Sequence, residues 1–207
     1  MIQLEAPFNE EKVRKLKVGD MVEITGLLYT GRDAIHKWLS EGNEPPVDEV
    51  DLRNGIIYHC GPVVMKKRVG DSTEEKWVVT AAGPTTSIRE EPYQAGIIEK
   101  FNLRGVIGKG GMGEKTRLAC EKFGCVYLHA VGGAAQVLAE KIVDVEGVFG
   151  YEKFGSPEAI WRLRVVKLPV VVTIDAHGNS LHKDIEHNSS EVLKTLYENI
   201  NTKWGKH

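Results

Sequence analysis

GVIGKGGMGEKTRLACEKF, residues 105–123, sets how the rest of the chain is read. A short apolar stretch of strand character runs into a glycine-rich turn, and a helix follows over residues 114–123. Strand, tight loop and helix in that order open a parallel crossover. The loop holds a literal G-x-G-x-x-G at Gly108, Gly110 and Gly113, with Lys109 at its centre. Three readings compete: a nucleotide-phosphate loop, a site for another small anion, and glycines that serve only close packing or left-handed backbone.

The nucleotide reading lacks its partners. A dinucleotide site needs an acidic residue about 20 positions on, at the end of the next strand. That strand, CVYLHAVGG, carries His129, and the next acid is Glu140. A Walker A loop fails because Glu114 stands between Gly113 and Lys115. Asp175 is the one candidate magnesium ligand, and the turn at His177-Gly178-Asn179 explains it more simply. An anion still suits the place, because Lys109 sits where exposed amides and a helix start collect, uncompensated until something negative arrives.

Outward from this loop, helix and strand alternate: a helix over residues 91–100, a strand at CVYLHAV, and a helix at AAQVLAEKIV. Upstream, DMVEITGLLYT reads as a strand and RDAIHKWLSEG as a helix. GIIYHCGPVVMKK and EKWVVTAAG read as two more strands, separated by a polar turn at Gly70-Asp71. The long run AIWRLRVVKLPVVVTID is a strand, His182 lies on its return, and a last helix starts near Asn188 with a capping-box-like Asn188–Glu191 pair. The expected fold class is α/β with a partly parallel sheet. The 207 residues read as a single domain, with 1–19 an N-terminal arm and 183–207 a C-terminal helix.

Charge and composition exclude several classes of function. Lys and Arg number 27 against 29 Asp and Glu, so no global field points to nucleic acid. No apolar run approaches the roughly 20 residues of a membrane span, and the start MIQLEAPFNEEKVRKL has no leader-like apolar core, which predicts a cytoplasmic protein. Cys60, Cys120 and Cys125 are odd in number and spread out, as expected of buried thiols rather than disulfides or metal ligands.

Two further loops resemble the first in position. GPTTSIR, residues 83–89, follows a strand and offers Thr85, Thr86, Ser87 and Arg89; its bland reading is a helix cap. TGRDAIHK places Arg32 and Asp33 at a strand-to-helix junction, with His36 one turn on; its bland reading is a solvated arginine paired with an acid. Arg32, Thr85, Thr86, Arg89 and Lys109 thus all lie past strand ends, where α/β sheets gather ligand-binding loops.

YTGRDAIHK, AAGPTTSIR, GVIGKGGM and VYLHAVGGAA, in this order, resemble the β subunit of two-subunit class I fumarases and of L-tartrate dehydratase, equivalent to the C-terminal domain of single-chain class I fumarases. The resemblance runs from about Asp20 to His182. It implies a three-layer swivelling β/β/α domain with strand-end substrate loops, and a hydro-lyase converting fumarate to L-malate, a tricarboxylic acid cycle step. It implies a [4Fe-4S] cluster carried by a partner α subunit and not ligated by this chain, an α2β2 assembly, and negligible activity without α. By match to the family motifs, Arg32, Thr86, Arg89 and Lys109 bind the dicarboxylate. Thr85 and Lys109 are catalytic, Thr85 as the group proposed to move the C3 proton. Asp33, His36 and Ser87 support them. His129 stands where the family usually has a small or apolar residue, and a structural role is expected for it. The alternative substrates are tartrate or a methylated fumarate; the alternative of another class is a nucleotide- or anion-binding module built on Gly108–Gly113.

Overall fold

Residues that alternate inward and outward along buried strands make the framework. The computed structural model describes residues 1–68 and 74–204. In chain order the elements are β1 (Ile2–Ala6), α1 (Glu10–Val13), β2 (Met21–Thr30), α2 (Asp33–Ser40), β3 (Ile56–Tyr58), β4 (Val63–Arg68) and β5 (Glu75–Ala81). A single 3-10 turn (Ser87–Glu90) then leads into α3 (Glu91–Phe101), β6 (Gly105–Gly108), α4 (Glu114–Phe123), β7 (Val126–His129), α5 (Ala135–Ala139), β8 (Ile142–Phe149), α6 (Tyr151–Phe154), β9 (Ile160–Ile174) and α7 (Leu181–Trp204).

β2, β3, β6 and β7 lie side by side and parallel, and the long β9 runs antiparallel between β7 and β2. The β2–β9 pairing therefore closes five strands into a ring, with β1 and β8 as flanking strands. Ile56, Tyr58, Ile107, Val126, Leu128, Trp161 and Leu163 belong to one apolar cluster. Their neighbours Ile57, Val106 and Tyr127 belong to the other, packed with Ile35 and Leu39 of α2, Ile97 and Ile98 of α3 and Ala119 of α4. Both faces of the parallel strands are thus buried, which is why they read as continuous apolar runs.

Several readings are corrected. GIIYHCGPVVMKK is not one strand: β3 stays in the main sheet, while β4 leaves it to pair only with β5. Pro62, which has no N–H to donate, lies in the break. The turn at Gly70-Asp71 lies outside the described residues. The helix read through AAQVLAEKIV stops at Ala139, because Ile142 onward pairs with β9 as β8. The last helix starts at Leu181, not near Asn188, so His182 belongs to its first turn and not to a return strand. Its start is marked by Ser180, whose hydroxyl accepts from Lys183 N at 3.4 Å. The N-terminal stretch forms a strand and a short helix: β1 pairs with β2, and Leu4, Phe8, Val13 and Leu16 are core.

Candidate active site

Parallel strands direct their C-terminal ends to one side, and the chain folds its polar loops there. Arg32 follows β2 as the N-cap residue of α2; His59 follows β3, and Lys109 follows β6. The Thr85–Arg89 run comes from the β4–β5 hairpin, yet backbone hydrogen bonds stitch it onto the same edge. Thr85 N donates to His59 O at 2.7 Å, Lys109 N to Thr85 O at 3.3 Å and Ser87 N to Lys109 O at 3.1 Å. Thr86 and Lys109 form a parallel bridge. Four of the five strand-end residues singled out in the sequence are thereby brought together: Thr85, Thr86 and Arg89 span five consecutive positions, and Lys109 is bridged to Thr86.

Among the ion pairs of the described residues, the fifth, Arg32, is linked to them only through its neighbour Asp33. Arg89 Nη2 lies 3.3 Å from Asp33 Oδ2, which brings the second guanidinium to the start of α2. Arg32 itself turns to Glu158, at 3.5 Å, and packs against Gly61, where an added Cβ would lie 2.8 Å from Nη1. Glu158 also accepts from Ala34 N at 2.9 Å and so caps α2. Among the described residues no hydrogen bond or ion pair joins Arg32 to Lys109 or Thr85. The Lys109 ammonium has no carboxylate partner among those residues. Thr86 and Arg89 are exposed, and Thr85 and Lys109 half-buried. Thr85 Oγ1 donates to His59 O at 3.2 Å, whereas Thr86, at the N-cap of the 3-10 turn, makes no capping bond; the bland cap reading fails for it.

The three glycines of the loop each have a local cause. A Cβ at Gly108 would collide with Ser87 Oγ, Gly110 has φ +72°, and a Cβ at Gly113 would lie 2.6 Å from the Glu91 carboxyl carbon. Glu91 occupies the helix start that a phosphate would need. Its carboxylate accepts from Gly113 N at 2.8 Å, Lys115 N at 3.0 Å, Thr116 N at 3.3 Å and Thr116 Oγ1 at 2.6 Å. The positive end of α4 already holds an anion of the chain's own, which removes the physical basis for a nucleotide there.

Behind the loops lies a buried polar chain that sequence reading missed apart from His36 and Ser87. Ser87 Oγ is 2.8 Å from His59 Nδ1, and His59 Nε2 is 2.8 Å from the Gln94 side-chain amide. The same amide atom is 3.1 Å from His36 Nε2, and His36 Nδ1 is 2.9 Å from Arg32 O. The two rings meet nearly at right angles, 4.9 Å between centroids. A signal existed: His59 and Gln94 are polar residues on apolar faces, within IIYHC and among Tyr93, Ile97 and Ile98.

Glu90 is fully buried beside this chain, and neither carboxyl oxygen has a partner among the described residues. Burial, and then the Asp33 carboxylate, raise its pKa from 4.5 to about 7, against the pull of Arg89 and Arg32. Between pH 4.5 and 7 the folded chain keeps this proton and the unfolded chain has lost it, so stability falls as pH rises through that window and levels off above it. The fall is expected to be about 1–3 kcal/mol. Glu90→Gln should abolish it, so that thermal melts show the variant gaining on the wild type at pH 8 but not at pH 4.5; an equal gap at both would refute the assignment.

His129, at the end of β7, stacks on His182 with 5.9 Å between ring centroids, a packing role, and His177 is tied to Arg14 O at 2.8 Å. Asp175 is consumed by its turn, accepting from His177 N and Asn179 N at 3.0 Å each. The three cysteines are free and buried; Cys60 lies in the cluster with Tyr58 and Trp161, and Cys120 and Cys125 lie in the one packed with α2, α3 and α4. Burial pushes the Cys60 thiol up to about 12. Cys120 and Cys125 neighbour each other, but Cys60 lies in the other cluster, so the three buried thiols do not converge as ligands of one iron–sulfur cluster. Among the described residues no three His, Cys, Asp or Glu side chains gather as a metal site, and no helix is long and apolar enough to cross a membrane.

Residues 1–185 match the family model described as Fumarase C-terminus. The chain belongs to this family. Within the Fumarase C-terminus family, it is 56% identical over 200 residues to a putative class I fumarate hydratase of Geobacillus stearothermophilus, covering 97% of this chain and 37% of that protein. It is 38% identical over 206 residues to a putative L(+)-tartrate dehydratase subunit beta of Methanocaldococcus jannaschii, covering 96% and 97%. Against the L(+)-tartrate dehydratase subunit beta of Escherichia coli K12 the identity is 37% over 179 residues, covering 86% and 85%. The chain thus spans little more than a third of the first relative and most of the two beta subunits.

Proposed function

We propose that this chain is the β subunit of a hydro-lyase that reversibly adds water to fumarate to give L-malate. The observation that carries the reading is the gathering of Thr85, Thr86, Arg89 and Lys109 on one strand-end edge, with the Lys109 ammonium left without a carboxylate. The 56% identity to a putative class I fumarate hydratase favours fumarate. The full-length match to tartrate dehydratase beta subunits supports a second reading, dehydration of L-tartrate; methylated fumarates stay within the same chemistry. In either reading the fold is a single three-layer swivelling β/β/α domain acting in the cytoplasm.

Substrate and product are dianions, and loss of a proton at C3 spreads further charge onto the adjacent carboxylate. Arg32 and Arg89 offer planar forks for carboxylates, and Lys109 a compact charge. To bind substrate, the arginines exchange their partial pairing with Glu158 and Asp33 for the dianion. The edge lies open: a cleft of about 450 Å³ bordered by Ile88, Gly111, Met112 and His182 adjoins it without including Arg32, Thr85, Arg89 or Lys109. An open half-site of this kind suits completion by an α subunit, in an α2β2 assembly, and the chain's buried thiols leave the [4Fe-4S] cluster to that partner.

Thr85 is the proposed carrier of the C3 proton. Its hydroxyl already donates to the His59 carbonyl, which accepts a hydrogen bond but is far too weak a base to take the proton. A chemical role therefore requires the neighbouring cations to stabilise the alkoxide. Thr85→Ser is expected to stay within about tenfold of wild type, and Thr85→Val to lose about a hundredfold or more in kcat. Equal activity in the two variants would reduce Thr85 to packing. The reaction itself is tested by assaying the reconstituted α–β pair on fumarate, L-malate, L-tartrate and methylfumarate; turnover of none of them would remove the reading.

A further inference from the structure

The buried chain from Ser87 to Arg32 fixes more than its distances suggest. The Arg32 carbonyl can only accept, so the contact at His36 Nδ1 requires a proton on that nitrogen. His36 is fully buried, and burial lowers its pKa, so a second proton on Nε2 would place a cation in the interior. His36 Nε2 is then a lone pair and needs a donor. The Gln94 amide supplies one only if its nitrogen, not its oxygen, faces the rings; the two ends of a primary amide are told apart by such networks alone. With the oxygen toward the rings, His36 Nε2 meets another lone pair and the amide nitrogen is left buried without a partner among the described residues. The same nitrogen, 2.8 Å from His59 Nε2, spends its other proton there. His59 must then carry its proton on Nδ1 and donate to Ser87 Oγ, 2.8 Å away.

We propose that Gln94 is a positioning residue: its amide nitrogen donates to both imidazoles, sets both as neutral Nδ1–H tautomers, and locks the Arg32 loop to the Thr85–Ser87 loop. The inference rests on the hydro-lyase reading for its catalytic consequence, though not for its chemistry. One end of the chain grips the backbone of Arg32. At the other, His59 holds Ser87 with its ring and Thr85 with its carbonyl, which accepts both the Thr85 N–H and its hydroxyl. Tyr127, whose hydroxyl donates to Gly110 O at 3.1 Å, extends the contact to the Lys109 loop, since its oxygen and Ser87 Oγ both crowd the space that a Cβ at Gly108 would fill. Three loops from distant parts of the sequence are thereby held in one frame by groups that never touch substrate.

Two measurements test this. Long-range 1H–15N NMR correlations on the full labelled chain at neutral pH should show His36 and His59 both protonated at Nδ1 and bare at Nε2; an Nε2–H tautomer or an imidazolium at either position overturns the proposal. In the assembled α–β enzyme, Gln94→Leu, which cannot donate, should lower kcat/KM by about tenfold or more under conditions where the variant is fully folded, with KM raised because Arg32 is no longer held. A change of less than about twofold overturns the positioning role. If Gln94→Leu does not fold, the NMR result on the wild type decides alone. A wild-type complex inactive on every dicarboxylate would sink the hydro-lyase reading, while the tautomer result would still judge the amide.

Discussion

Alanine at Lys109 in the assembled enzyme is expected to lower kcat/KM by about a hundredfold or more, and alanine at Arg89 by a similar factor. Stabilisation of developing charge by one fixed donor is commonly worth about 3–4 kcal/mol. Lys109 meets the condition for such an effect, because no carboxylate among the described residues neutralises it before substrate arrives. Arg89 is half exposed and shares one oxygen of Asp33, an arrangement that contributes little to stability and leaves the guanidinium available. Both variants should therefore melt within about 0.5 kcal/mol of wild type while losing activity. Loss concentrated in kcat would assign the contact to the transition state, and loss confined to KM would assign it to binding. Near-normal kinetics in either variant removes that residue from the site.

The second large effect is all or none. Purified without an α subunit, the chain is expected to show no iron–sulfur absorbance and negligible turnover of fumarate or L-malate, with both signals appearing on reconstitution. The basis is chemical: a cluster takes thiolates, and the Cys60 thiol is raised to about 12 while Cys120 and Cys125 lie buried on the other side of the sheet. Visible cluster absorbance together with turnover by this chain alone would overturn the half-site assignment.

Much of this edge was legible because its elements carry their own punctuation. The glycine-rich loop between β6 and α4 marked the strand's end and the helix's start directly. The loop motifs were legible for the same reason, since charge and hydroxyl after an apolar strand are conspicuous. What escaped depends on distant pairing. Ile142 and Val143 extend a helical pattern from residue 134, and only β9 alongside them makes them strand. Asn188 and Glu191 imitate a cap inside α7, while the working cap is Ser180. Gln94 and His59 looked like isolated polar residues in apolar runs; they come within reach of each other only when β3 and α3 pack.

Glu91 has a consequence for how loops of this kind are recognised. A free phosphate approaching α4 would compete with a carboxylate tethered to the same chain, whose effective concentration is on the order of millimolar or higher. Pattern scans that score only the glycines are blind to such an internal tenant, and the residue that betrays it lies 22 positions upstream of Gly113, on another helix.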